Sequence, residues 1–374
     1  LQPSTSGMKI EVHAMAYACD CSDTTIKNTI FLDYKIINRS NQTYSDFYVG
    51  QFTDYDIGNY NDDFVGSAPT HSCTYGYNGN GVDSGPGGYG SNLASMATVF
   101  LAGPLQDSDG ADNAIGIGSN ESLTGIGYGD GVADNERMGM TNAIYFNNDA
   151  SVTGDPSFAT DYYNLLRSVW KDGTNLRYGG TGHIGSGPIC RYAFPGTDDL
   201  TDFWGTFGVS VSSWDESGAG NIPGDRRMVG SIGPFTLSAG ETENVNLAFV
   251  AARDYTGTTN STGILLNHVD EVRSRFAADS LDCSEFVGLK EQPKPWFEFN
   301  IYPNPSTGKF YIEFTSITPA LQVDIYDING RKVESIYNVS TVTNIDLSDQ
   351  PSGVYLVRVT DEKQESTKRL VIER

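Results

Sequence analysis

The chain has 374 residues, enough for one large domain and a second small one. A formal net charge of -23 argues against nucleic-acid backbones and anionic membrane surfaces as partners. With 21 Tyr, 18 Phe and 42 Gly, the composition is that of a loop-rich β protein with ample core material, not of a disordered chain. No apolar run is long enough for a transmembrane helix.

The opening Leu1-Gln2-Pro3 reads as a mature or trimmed N-terminus. Strands are expected where Ile10, Val12 and Ala14 alternate, over Thr29 to Asn38, and over Phe47 to Phe52, the last pairing with its predecessor across an Asn38-Arg39-Ser40-Asn41 turn. Residues 67–92 are Gly, Ser, Asn and Tyr rich and read as loop. Met96 to Leu101, Phe207 to Val211 and Val245 to Val250 read as further strands. Two stretches carry a helical stripe, Ser157 to Lys171 and Thr259 to Ala278. Leu289 to Pro295 has linker composition, which sets expected domains at 1–288 and 298–374 with a linker over 289–297.

After the linker, Phe310, Ile312 and Phe314 alternate with polar neighbours, and Val323 and Ile325 repeat the pattern. Asn329-Gly330 is a hairpin signal, while Pro303 and Pro305 confine their segment to an edge or lead-in. Val354, Leu356 and Val359, then Leu370 and Ile372, supply two more strands, so a compact Ig-like sandwich is expected. The ordered series Tyr302-Pro303-Asn304-Pro305-Ser306-Thr307-Gly308, Asn329-Gly330-Arg331, Gly353-Val354-Tyr355 and Lys368-Arg369-Leu370-Val371 resembles the C-terminal sorting domain of type IX secretion cargo of Bacteroidota. On that resemblance Pro303, Asn304, Pro305, Gly308, Gly330, Gly353, Tyr355, Lys368, Leu370 and Val371 carry the sorting signal. It further implies a removed Sec signal, export to the cell surface, the translocon and its outer-membrane shuttle protein as partners, and joining to lipopolysaccharide after processing.

Five cysteines suit an oxidising compartment. Cys19 and Cys21 are two apart and compete for one partner, so the expected bridges are Cys21–Cys73 or Cys19–Cys73, and Cys190–Cys283. Three acidic clusters stand out: Asp54, Asp56, Asp62 and Asp63 with Asp83; Asp107, Asp109 and Asp112; Asp130, Asp134 and Glu136. Alternating Asp in a Gly-bearing loop lets carboxylates converge on one hard cation, which makes Ca2+ the expected cofactor; the alternative is a set of solvated Asx-turns. Segments around Asp54-Tyr55-Asp56-Ile57-Gly58, Gly129-Asp130-Gly131, Trp170-Lys171-Asp172-Gly173 and Gly224-Asp225-Arg226-Arg227 resemble uncharacterised Bacteroidota surface proteins with the same tail, a resemblance that implies no activity.

Enzyme signatures are weak. The four His form no H-E-x-x-H pair, no G-x-S-x-G elbow exists, and Cys190 lacks a nucleophile context. Arg226-Arg227 reads as a partner of nearby acids ahead of a carboxylated-glycan site, and the tyrosines Tyr75, Tyr77 and Tyr89 read either as sugar platforms or as self-packing loops. The expectation is thus a mainly β protein, with a large sandwich-like first domain carrying about two helices and an Ig-like sorting sandwich. The first domain is expected to be a Ca2+-stabilised binding or structural module, with a hydrolase acting on glycan or peptide as the alternative.

Overall fold

The computed structural model describes residues 7–20, 22–116, 118, 121–257, 261–278, 281, 299–314, 321–328, 330–337, 339–360 and 365–374. The chain divides into two compact units, Leu1–Gly288 and Leu289–Arg374. The proposed linker stretch 289–297 lies outside the described residues.

The first unit runs β1 (Ile10–Ala18), α1 (Thr24–Lys27), β2 (Thr29–Asn38), β3 (Tyr44–Asp54), β4 (Asp63–Ala68), β5 (Cys73–Asn78), β6 (Ala94–Ala102), β7 (Asn142–Asn147), α2 (Ala159–Leu165), β8 (Arg226–Leu237), β9 (Thr242–Arg253) and α3 (Ser261–Ala277). Six strands form one antiparallel sheet in the order β1-β2-β9-β6-β5-β4, and three form a second in the order β3-β8-β7. Strand alternation sends successive side chains of the large sheet to two different cores. Val65, Phe100, Val245 and Leu247 face the three-stranded sheet, where they meet Met228 and Ile232. Ala97, Val99, Leu101, Ala248 and Val250 face the other way and are covered by Ile26 of α1 and Leu265, Val269 and Val272 of α3. A strand buried on both faces needs an apolar residue at nearly every position, as Ala97 to Ala102 provides.

The long stretch between β7 and β8 carries little regular structure yet is firmly packed. Trp170, Leu176, Tyr192 and Phe194 are buried, and the indole N–H of Trp170 donates to the Gly182 carbonyl at 3.1 Å. Phe207 to Val211 does not form the expected strand: Phe207 and Val209 are exposed, and the segment is loop. The hairpin expected of β2 and β3 also does not form. Register places β9 beside β2 and β8 beside β3, in separate sheets. Asn38 explains the divergence, because its side-chain amide donates to the carbonyls of Gln42, Leu237 and Ser238 and ties the turn to the end of β8. The helical stripe from Ser157 yields a helix only as far as Leu165, and the polypeptide then turns under Trp170.

The second unit contains β10 (Phe299–Tyr302), β11 (Lys309–Phe314), β12 (Gln322–Asp327), β13 (Lys332–Ile336), β14 (Val342–Asp346), β15 (Gly353–Thr360) and β16 (Glu365–Ile372). Two antiparallel sheets, β10-β11-β14 and β13-β12-β15-β16, enclose a core of Phe299, Phe310, Ile312, Phe314, Val323, Ile325, Tyr355, Val357, Leu370 and Ile372. Both units are mainly β. On β15 the register differs from the expected one: Tyr355, Val357 and Val359 point inward, whereas Val354 and Leu356 are exposed. A one-residue slip moves every side chain to the opposite face, and the large Tyr355, whose hydroxyl donates to Pro351 O at 2.8 Å, occupies the core side.

Candidate functional site

Within the tail, most residues expected to carry the sorting signal gather along β16, whereas Gly330 lies between β12 and β13 at the other end of that sheet. Pro303, Asn304 and Pro305 follow the edge strand β10, and the Asn304 side chain bonds to the backbone of β16 at two points. The Ser306 amide donates to the Val371 carbonyl at 2.8 Å and the Glu373 amide to the Ser306 carbonyl at 2.8 Å. Gly308 adopts φ +113 and Gly330 φ +78, backbone conformations that suit glycine. Lys368 lies over the Phe299 ring at 5.3 Å. Gly353 opens β15, and Leu370 is buried in the core.

In the first unit, the second and third acidic clusters come together as two interlocked loops. Asp112 accepts the amides of Gly129 (2.8 Å) and Gly131 (2.7 Å). In return Asp134 accepts those of Asp109 (2.9 Å) and Gly110 (3.0 Å). Buried Glu136 accepts the Asn113 amide at 2.6 Å, while Asp109 accepts that of Ala111 and Asp130 that of Val132. Asp107 receives both the amide and the hydroxyl of Thr236. These carboxylates act as acceptors for backbone N–H groups that a loop would otherwise leave unpaired.

The first cluster divides in two. Asp54 and Asp56 join Asp225, the one group of three potential ligand residues among the described residues whose carboxylate oxygens lie within 4.8 Å of one another. That group already holds a cation. Arg227 pairs with Asp54 at 2.9 Å, Asp155 at 3.3 Å and Asp225 at 3.6 Å. Its neighbour Arg226 points the other way, to the fully buried Glu216 at 3.2 Å, as strand alternation requires. Asp225 and Asp155 were not singled out as ligands by sequence reasoning; the adjacent Arg226-Arg227 pair was the available signal for Asp225.

Asp62, Asp63 and Asp83 are all buried. Asp83 is satisfied by the amides of Asn59 (3.1 Å) and Tyr89 (2.8 Å). Asp63 accepts the Ile57 amide through Oδ2 at 2.8 Å, and Asp62 accepts from the Asn80 side chain through Oδ2 at 3.3 Å. The Oδ1 atoms of both are buried without a hydrogen-bond partner in the protein. Burial pushes the Asp63 carboxyl up to about 8, the Ile57 amide opposes the shift, and the charges of Asp62, Asp83 and Asp56 add to it. A buried carboxyl oxygen without a donor is a group that a hard cation would satisfy.

His183 and His71 are engaged by carboxylates, whereas Nδ1 of His268 is buried without a hydrogen-bond partner in the protein. His183 bonds Asp172 at 2.8 Å and meets the Trp170 ring edge-on, and His71 lies between Asp198 at 2.8 Å and Asp270 at 3.5 Å. The tyrosines of the 67–92 stretch pack on protein: Tyr75 on Tyr77, Tyr77 on Phe64, and Tyr89 under Arg253. Cys73 and Cys190 are buried free thiols, as is Cys19, which corrects the expected Cys19–Cys73, Cys21–Cys73 and Cys190–Cys283 bridges. Cys73 is packed in the helix-side core and Cys190 in the inter-sheet core. Burial pushes both of these thiols well above the usual range, so neither is a thiolate nucleophile at neutral pH. Cys21 and Cys283 lie outside the described residues.

Among solved structures, the chain is similar over 20% of its length to PorZ, an essential bacterial surface component of the type IX secretion system of Porphyromonas gingivalis. The identity is 25%, the TM-score 0.17, and 11% of that chain is covered. It also aligns with a polysaccharide lyase (8% identity, TM-score 0.26, 99% of this chain and 35% of that one) and with the BSP domain of a biofilm-associated protein (7% identity, TM-score 0.20, 98% and 82%). The chain thus spans about a tenth and about a third of the first two. No curated protein matches it. The model of the secretion system C-terminal sorting domain matches residues 300–373, the span of the small sandwich. Among the described residues no helix is long and apolar enough to cross a membrane. Residues 300–373 are a type IX C-terminal sorting domain, which implies interaction with the secretion machinery and delivery to the cell surface or the extracellular space.

Proposed function

We propose that the first unit is a binding or structural module displayed through the type IX route, stabilised by Ca2+ held at Asp62 and Asp63 with Asp56 and Asp83 nearby. The tail docks on the translocon and its outer-membrane shuttle protein, and after processing the cargo is joined to lipopolysaccharide. The observation that carries the calcium reading is the pair of buried, donor-free Oδ1 atoms of Asp62 and Asp63. Ca2+ takes roughly six to eight oxygen ligands and tolerates irregular geometry, so a pair of carboxylates suits it better than Mg2+, which demands near-ideal octahedral geometry.

Thermal unfolding of the full chain with Ca2+ and with chelator tests the reading. A ligand at about 100 times its Kd stabilises the folded state by about 2.7 kcal/mol, and the midpoint is expected to rise by several degrees with Ca2+. Asp62→Asn and Asp63→Asn together are expected to abolish that rise. An unchanged midpoint in wild-type protein refutes the calcium reading. Deletion of residues 298–374 is expected to leave the protein in the periplasm, and undiminished surface display would refute the export reading.

A further inference from the structure

The outer face of the β3-β8-β7 sheet carries a groove of about 500 Å3 between the sheet and α2. Strand register builds its floor, with Phe52 opposite Val229 on β8, and Phe146 of β7 and Asp54 of β3 both opposite Arg227. Phe52 lies against Phe146 with ring centroids 5.7 Å apart, and Tyr162 lines the groove from α2. Phe52 and Tyr162 remain 50% and 46% exposed, large for aromatic rings that border an apolar surface. Asp155 is the one charged residue of the lining.

The surrounding charge is net negative. Asp155 leads through Arg227 to Asp54 and Asp225, with Asp56 beside them. Lys171 donates to the Asp155 carbonyl at 2.7 Å, so four carboxylates stand against two cations. Both cations are held, Arg227 by carboxylates and Lys171 by the carbonyls of Ser151 and Asp155. Among the described residues no protein cation sits over the rings of Phe52, Phe146 or Tyr162. An anion is repelled here, and a heavily hydroxylated ligand finds few hydrogen-bonding side chains. A cation on an apolar body gains from the ring faces, the apolar area and the net negative field together.

We propose that this groove binds a small organic ammonium, an amine carried on an aryl or alkyl body. The ammonium lies toward Asp155, and the apolar body lies against Phe52, Phe146 and Tyr162. This goes beyond the calcium reading and does not depend on it, because the groove uses neither Asp62 nor Asp63.

Three probes of nearly equal shape test the proposal against the full chain by titration calorimetry: 4-phenylbutylammonium, 4-phenylbutanol and 4-phenylbutanoate. The ammonium is expected to bind at least about tenfold more tightly than the alcohol, with the carboxylate weakest, and its affinity is expected to fall with added salt. Phe52→Leu keeps apolar bulk but removes the ring face, and is expected to weaken the ammonium about tenfold while leaving the alcohol nearly unchanged. Asp155→Asn is expected to shrink the preference for the ammonium over the alcohol. Equal binding of all three probes, no binding of any, or Phe52→Leu and Asp155→Asn proteins with wild-type affinities would overturn the proposal. Loss of the Ca2+-dependent rise in midpoint on combining Asp62→Asn with Asp63→Asn bears only on that pair, so the two readings fail separately.

Discussion

Asn304 grips Val371 in the manner of a neighbouring strand. Its Oδ1 accepts the Val371 amide at 2.9 Å, and its Nδ2 donates to the Arg369 carbonyl at 2.7 Å. The segment between Pro303 and Pro305 cannot offer proline N–H groups to a ladder, and the Asn side chain supplies a donor and an acceptor in their place. Asn304→Ala removes both bonds from the edge of β16. A loss of about 1–3 kcal/mol in the tail is expected, read as faster amide exchange of Val371 and its neighbours, with reduced surface export. Unchanged exchange at Val371 would show that β16 holds without this contact.

His71 is expected to make stability pH-dependent. Burial pulls its pKa down, but the hydrogen bond and charge of Asp198, with the charge of Asp270, outweigh that and raise it overall; Arg273 opposes them slightly. For a group whose folded pKa lies above its unfolded value of about 6.5, the added stability is fully present below that value and is lost as pH rises through the folded pKa. His71→Gln is expected to flatten the fall in unfolding midpoint above about pH 6.5. Parallel midpoint curves for the two proteins would contradict it.

Glu216 accepts the Val65 amide at 2.9 Å, the Asn221 side chain at 3.2 Å and the Arg226 guanidinium at 3.2 Å while fully buried. Removing one partner of such a pair strands the other, so Glu216→Ala is expected to cost about 3–5 kcal/mol. Denaturant unfolding measures it. Replacing the pair together, Glu216→Leu with Arg226→Met, is expected to cost less than the single change.

Gly50 lets α2 approach the three-stranded sheet: a Cβ there would lie 2.2 Å from Leu166 Cδ2. Gly50→Ala is expected to displace Leu166 and destabilise the first unit by about 1–3 kcal/mol, visible as a lower denaturant midpoint. A wild-type midpoint would mean that the Leu166 side chain rotates away at little cost.

The extent to which the sequence was legible follows from the range of the interactions. Alternation over Phe310 to Phe314 and the near-continuous apolar run over Met96 to Leu101 are local properties, and both segments are strands. The stripe over Thr259 to Ala278 likewise became α3, because its apolar positions alone cover Val99 and Val250. The segment Phe207 to Val211 alternates like Phe310 to Phe314, yet among the described residues it pairs with no strand, and Arg191 lies over the Phe207 ring. Periodicity shows that a strand could form, and a partner decides whether it does.

The sequence by itself determined the β character of both units, the span of the sorting domain and the acidic nature of the first unit, since composition, alternation and an ordered motif series require no knowledge of distant partners. Only the tertiary structure decided what the acids do. Asp54 meets Arg227 from 173 positions away, Asp112 meets Gly129 across loops, and Asp63 keeps a buried oxygen without a donor. A carboxylate's role depends on whether a guanidinium, an amide or no donor lies within about 3 Å, and chain folding alone sets that distance.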